Sequence, residues 1–406
     1  MSNLRHRPRR RLRPAEMPSP TAFLVTRRAI ALICAALLLS SCTTDRTRRG
    51  YLRANARSFA APVHPVIVIP GFGVSRLFDP ELGRYVWGTP RTTMRTVWPD
   101  DLDLPHDEAT FAIGRDRLVP RGFTGSRGPI NTAWQLTTAL EKFGGYRTGR
   151  DLYPFEYDWR LSAADNAARL EVFVAEVRRQ HGGAQVDVVT HSAGALLALT
   201  WVKLGNGGAS VRNLVLLAPP AGGVIEVFRM MVRPEKFIRR TFEPEVVATW
   251  PSVTELLPEE GTIFIDASGQ PLDLDLWSPA TWQRLGLYDA AVHPLFETSL
   301  SRARSFRERL RLAPMPAGVS LHVLAGDCVP TARRVLVRDD GTYAFYPGEL
   351  RPNEEHLRPL IFEPGDGTIP LSSATRAARP ELFCDGHQGL AADPNVHRAL
   401  VRILRQ

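Results

Sequence analysis

Long hydrophobic runs are missing from this sequence. The apolar stretch Ala29 to Leu39 holds eleven residues. That is about 16 Å of helix against roughly 30 Å of hydrocarbon, which excludes a stable transmembrane helix there. Internal repeats and low-complexity tracts are also missing, so a solenoid or fibrous chain is excluded. Lysine is nearly absent: Lys142, Lys203 and Lys236 stand among 51 Lys and Arg residues. The net charge of +9 is concentrated near the start, because residues 1–41 hold eight arginines and one glutamate. That leaves 9 − 7 = +2 for the rest, too little for a nucleic-acid footprint. Cysteine is scarce, at four in 406 residues.

What is present begins with a leader. Arg27 and Arg28 precede the Ala29–Leu39 run, which ends in Leu39-Ser40-Ser41-Cys42. A basic segment, a short apolar segment and small residues before a cut site describe a secretory signal peptide over residues 1–41. Leu-Ser-Ser-Cys matches a bacterial lipobox, so Cys42 is expected to carry lipid and hold the protein to a membrane of the cell envelope. Either Met1 or Met17 serves as the start. Residues 42–61 read as a polar, arginine-bearing tether. Cys34 leaves with the leader, so Cys328 and Cys384 remain as one disulfide or two buried thiols.

Past the tether, short β-branched runs alternate with amphipathic segments. Val66–Ile69, Val186–Val189, Asn213–Leu217 and Val319–Ala325 read as buried parallel strands. Leu161–Gln180 and Ala195–Leu204 read as helices, the first started by Ser162 and Asp165 and stopped by Gly182-Gly183. Strands alternating with helices predict an α/β fold with a mostly parallel sheet flanked by helices. From about Val224 to Pro316 the rhythm is lost, which predicts an inserted cap. The expected division is therefore core 62–223, cap 224–316 and core 317–406.

Thr190-His191-Ser192-Ala193-Gly194 lies between a strand and a helix. It has the form of a nucleophile elbow, usually Gly-x-Ser-x-Gly, with Thr190 replacing the first glycine. Ser192 is the candidate nucleophile. The loop Pro70-Gly71-Phe72-Gly73 follows the first core strand, and the backbone N–H groups of Phe72 and Ala193 are candidate oxyanion donors. A serine hydroxyl needs a base to take its proton. His387, in a turn near the end of the chain, is favoured over His356 and His397, whereas His293 falls in the cap and His322 in a strand. Two acids compete to orient the base: Asp327, just past a strand, and Asp366, between two glycines. The tryptophans Trp159, Trp201, Trp250, Trp277 and Trp282 read as core or as acyl-pocket lining.

Taken with these residues, four segments resemble the lecithin:cholesterol acyltransferase family of α/β-hydrolases. They are Pro70–Leu77 with Val86-Trp87-Gly88, Phe155-Glu156-Tyr157-Asp158-Trp159-Arg160, Pro251–Pro258, and Gly365-Asp366-Gly367-Thr368-Ile369-Pro370. The resemblance implies a triad of Ser192, Asp366 and His387 and an acyl-enzyme formed from a lipid ester and released to water or an alcohol. It implies no metal and no organic cofactor. Asp158 reads as a rival acid or, in preference, as a structural residue bonded to backbone or Arg160. An amidase or thioesterase on the same fold, or a lipoprotein that binds lipid without catalysis, are the competing readings.

Overall fold

The computed structural model describes residues 64–93, 102–125, 131–237, 240–260, 263–285 and 293–406. The leader, Cys42 and the whole tether lie outside the described residues.

Six parallel strands form the central sheet: β1 (Val66–Ile69), β2 (Leu152–Pro154), β3 (Val186–His191), β4 (Val211–Leu217), β5 (Ser320–Gly326) and β6 (Glu381–Phe383). Their order in space is β6-β5-β4-β3-β1-β2. Every pairing is parallel. All four side chains of β1 and all six of β3 are buried, as strands covered on both faces require.

The connecting helices follow from the sequence. Helix α2 (Ala163–Gln180) starts where the Ser162 hydroxyl accepts the Asp165 N–H at 3.0 Å. It ends before Gly182 and Gly183, both at positive φ. Helix α3 (Gly194–Leu204) is buried along nearly its whole length and packs on α2. Helix α1 (Thr132–Gly144) packs instead on the terminal helix α7 (Pro394–Leu404). The chain steps from β1 to β2 in one direction and from β2 to β3 and β4 in the other. Right-handed crossovers therefore send α1 to one face and α2 and α3 to the other. The sheet's carboxyl end beside β1 and β3 is thus where the winding reverses, the usual place for a site in such sheets.

Between β4 and β5 the chain builds the cap. It includes α4 (Ile225–Val232), α5 (Pro251–Glu255), a short strand Phe264–Ile265 and the long α6 (His293–Leu312). The expectation of unbroken core over 317–406 needs correcting. After β5 the chain leaves the sheet again, and Val335–Val337 pairs parallel with Phe264–Ile265. Strands Val329–Ala332 and Phe362–Gly365 run antiparallel at the base of this second excursion. Ile265, Leu336, Ala344, Leu357, Ile361 and Phe362 form a small core of their own. The pairing is non-local, so no periodicity in the sequence announces it. No helix among the described residues is long and apolar enough to cross a membrane.

Candidate active site

Ser192 follows the last residue of β3 and sits at φ 55°, a left-handed conformation for a non-glycine residue. Such strain is held only where the surroundings dictate it. Here its N–H donates to Leu217 O at 2.9 Å, and α3 begins two residues later. The small residues are a steric demand. A Cβ on Gly194 would stand 2.5 Å from Pro70 O and 2.6 Å from Ile69 O, and one on Gly71 would stand 2.9 Å from Ser192 Cβ. Thr190, where the motif usually has glycine, fits because its hydroxyl turns into the sheet and donates to Val215 O at 3.4 Å.

His387 stands on the loop after β6. Its Nε2 lies 2.9 Å from Ser192 Oγ and its Nδ1 lies 2.8 Å from Asp366 Oδ2. Asp366 is placed by its own backbone neighbours: Oδ1 accepts the N–H groups of Thr368 at 2.9 Å and Ile369 at 2.6 Å, and its carbonyl accepts the His387 N–H at 2.8 Å. Burial alone would raise the pKa of Asp366. The His387 ring and the bonds from His387, Ile369 and Thr368 outweigh it and hold the carboxyl below its ordinary range. With a carboxylate at Nδ1, the neutral ring carries its proton there and offers a bare Nε2 to the serine hydroxyl.

Asp327 lies at the exit of β5, and His387 Nδ1 pairs with Asp366 instead. His397 is a packing residue of α7, bonded through Nε2 to Ala391 O at 2.8 Å. His356 is exposed in the turn Pro352–Leu357, and His322 stands in β5. Cys328 and Cys384 are joined as a disulfide that ties the exit of β5 to the loop bearing His387.

The backbone N–H groups of Phe72 and Ala193 donate to no described residue. The loop carrying Phe72 is held by the Phe155–Arg160 segment, a role the sequence reading missed. Tyr157 OH donates to Pro70 O at 2.9 Å, Trp159 Nε1 to Ser75 O at 3.1 Å, and the Tyr157 N–H to Ser75 Oγ at 3.2 Å. Phe72 packs on Trp159 with ring centroids 4.6 Å apart, and Trp159 packs edge-on to Trp250 at 5.1 Å. Asp158 is not a rival acid. It is buried in a fork with Arg160, whose guanidinium also pairs with Asp116. The signal was available in principle: buried Tyr and Trp seek hydrogen-bond partners, but the sequence does not say whose. Among the described residues no group of three His, Cys, Asp or Glu side chains is arranged to hold a metal.

A parallel sheet wound this way, with the strand-to-helix turn that carries Ser192 beside its switch point, is the α/β-hydrolase fold. Residues 127–273 match the family model of lecithin:cholesterol acyltransferase. The chain is 26% identical over 302 residues to the lysosomal phospholipase A and acyltransferase of Canis lupus familiaris, covering 70% of this chain and 66% of that protein. It is 26% identical over 214 residues to lecithin-cholesterol acyltransferase-like 1 of Oryza sativa subsp. japonica, covering 43% of this chain and 48% of that one. These matches make the chain similar to the lecithin:cholesterol acyltransferase family, with the family model covering residues 127–273. The chain spans just under two thirds of the mammalian relatives' length. Among solved structures, the Tle4-Tli4 complex shares the fold, with a TM-score of 0.52 at 15% identity over 85% of this chain and 98% of that one.

Proposed function

We propose that this protein is a serine hydrolase or acyltransferase of lipid esters that works through an acyl-enzyme on Ser192. The observation that carries the reading is the continuous hydrogen-bonded line from Ser192 through His387 to Asp366, at 2.9 and 2.8 Å. In it, His387 Nε2 takes the hydroxyl proton as Ser192 Oγ attacks the ester carbonyl. The carbonyl oxygen gains charge facing the free N–H groups of Phe72 and Ala193, beside the positive end of α3. Collapse expels the alcohol, which leaves with the proton held on His387. Water or a second alcohol then repeats the sequence in reverse and frees the acyl group. Asp366 stays ionised throughout and stabilises the imidazolium. No step calls for a metal or organic cofactor.

Lipid esters are favoured over other acyl compounds by the family match and by the phospholipase and acyltransferase named among the relatives. Lipidation at Cys42 would hold the enzyme on the envelope, facing the periplasm or exterior, where such substrates are concentrated. The experiment is to label purified protein with a fluorophosphonate and to incubate it with phosphatidylcholine vesicles, identifying products by mass. Wild type should label and release fatty acid or transfer it to an added alcohol, and Ser192→Ala should do neither. Labelling that survives Ser192→Ala refutes the assignment.

A further inference from the structure

The residue before the nucleophile is also a histidine, and the reaction above does not use it. His191 ends β3 and is 1% exposed. Its Nε2 lies 3.0 Å from the backbone carbonyl oxygen of His387, and the two rings lie 4.8 Å apart between centroids. A carbonyl only accepts, so His191 Nε2 carries the proton and donates it. Its Nδ1 is buried with no hydrogen-bond partner. The Gly71 backbone closes over that atom, since a Cβ there would stand 3.2 Å away. Nothing in that position donates to Nδ1, so the ring has one tautomer. His387 and Asp366 are the titratable groups facing it, and Pro70-Gly71-Phe72-Gly73 brings none. Burial and the neighbouring His387 push its pKa down to about 3, so it is neutral at working pH.

The consequence concerns the loop that carries the base. His387 is tied through its backbone at two points: its N–H to Asp366 O at 2.8 Å and its C=O to His191 Nε2 at 3.0 Å. The first tie comes from the acid's loop and the second from the nucleophile's strand. Of the two, the second joins the base's backbone directly to the strand that leads into the serine. The donor must be long enough to reach and must carry no charge. A lysine or arginine there would set a permanent positive charge against the imidazole and make it a poorer base.

Resting on the serine-hydrolase reading above, we propose that His191 is a positioning residue: its Nε2–H holds the carbonyl of His387 and so sets the base at bonding distance from Ser192 Oγ. The test compares His191→Phe, which keeps a ring without the donor, with His191→Gln, whose amide reaches the same carbonyl, and His191→Asn, one methylene shorter. Each is assayed for hydrolysis of a water-soluble p-nitrophenyl ester, for the rate of fluorophosphonate labelling and for thermal midpoint.

Phe should lower kcat about 10- to 100-fold with KM within twofold, as expected when a reacting group is held less well. Gln should recover kcat to within about fivefold of wild type, and Asn should not. If Phe fails to fold, the Gln and Asn pair decides by the same criterion. A Phe variant with more than half of wild-type kcat overturns the proposal. So do Gln and Asn variants equally reduced in kcat and equally lowered in melting, which would mark a purely structural role. A wild-type protein that the fluorophosphonate does not label instead refutes the serine-hydrolase reading itself.

Discussion

Replacing Asp366 by asparagine tests the geometry of the site most directly. Oδ1 of Asp366 already accepts two backbone N–H groups, from Thr368 and Ile369. In the variant that position must be taken by the amide oxygen, because the amide nitrogen cannot accept. The NH2 group is therefore turned toward His387 Nδ1, where the carboxylate oxygen stood at 2.8 Å. A donor facing Nδ1 selects the tautomer protonated on Nε2. That nitrogen then donates toward Ser192 Oγ and has no lone pair to take the serine's proton. A change of this kind in a Ser-His-Asp triad costs about 10⁴ in kcat, or roughly 5 kcal/mol at 1.36 kcal/mol per tenfold. Melting should move little, since shape and the two backbone bonds survive. The assay is p-nitrophenyl ester hydrolysis alongside the rate of fluorophosphonate labelling, with Asp327→Asn as the control. The control should keep activity near wild type. An Asp366→Asn protein within tenfold of wild type, or an Asp327→Asn protein that loses more, refutes the assignment of the acid.

Three further outcomes are expected. Gly71→Ala would place a Cβ 2.9 Å from Ser192 Cβ and 3.2 Å from His191 Nδ1. Pushing the two loops apart should lower kcat by about 10²-fold, and kcat above a third of wild type would show that the loops yield freely. Cys384→Ser removes a disulfide spanning 56 residues. The chain-entropy estimate for that loop is about 4 kcal/mol, and a loss of about 2–4 kcal/mol should appear in denaturant melts under oxidising conditions. An unchanged midpoint would contradict it. Glu255 is buried, and burial pushes its pKa up to about 8, against the bond from the Ala163 N–H at 2.8 Å and the charge of Arg307. The folded state thus binds a proton that the unfolded state releases near its model value of 4.5. The stabilising share is complete below that value and is lost as pH rises through about 8. Glu255→Gln should therefore flatten the fall in melting temperature between pH 5 and 8.5, and an identical slope in both proteins would exclude Glu255 as the cause.

The core elements were legible because their signals are local. The run Val66–Ile69 is apolar on both faces, and it is a strand buried on both faces. Ser162 and Asp165 announce the start of α2 by the bond they go on to make. The tight turn at Ser192 was legible because small residues beside a serine between a strand and a helix let the bend close. The second excursion was not, because Val335–Val337 pairs with a strand some seventy residues earlier, and neither segment alternates clearly enough to name its partner. The role of Tyr157 and Trp159 was hidden for the same reason: a side-chain donor is visible in sequence, but the carbonyl it seeks, 87 residues away for Tyr157, is not.

By itself the sequence determined the alternation of buried strands and amphipathic helices, and which serine stands at the tight bend between two of them. These follow from periodicity and from residue size, which act over a few positions. Only the tertiary structure brings Asp366 rather than Asp327 to His387 Nδ1, since both sit in similar turns and the bond depends on which loop reaches that atom. It also turned a second histidine into a partner of the first. The bond from His191 to the His387 carbonyl joins residues 196 apart, and a distance of that kind is set by how the sheet winds.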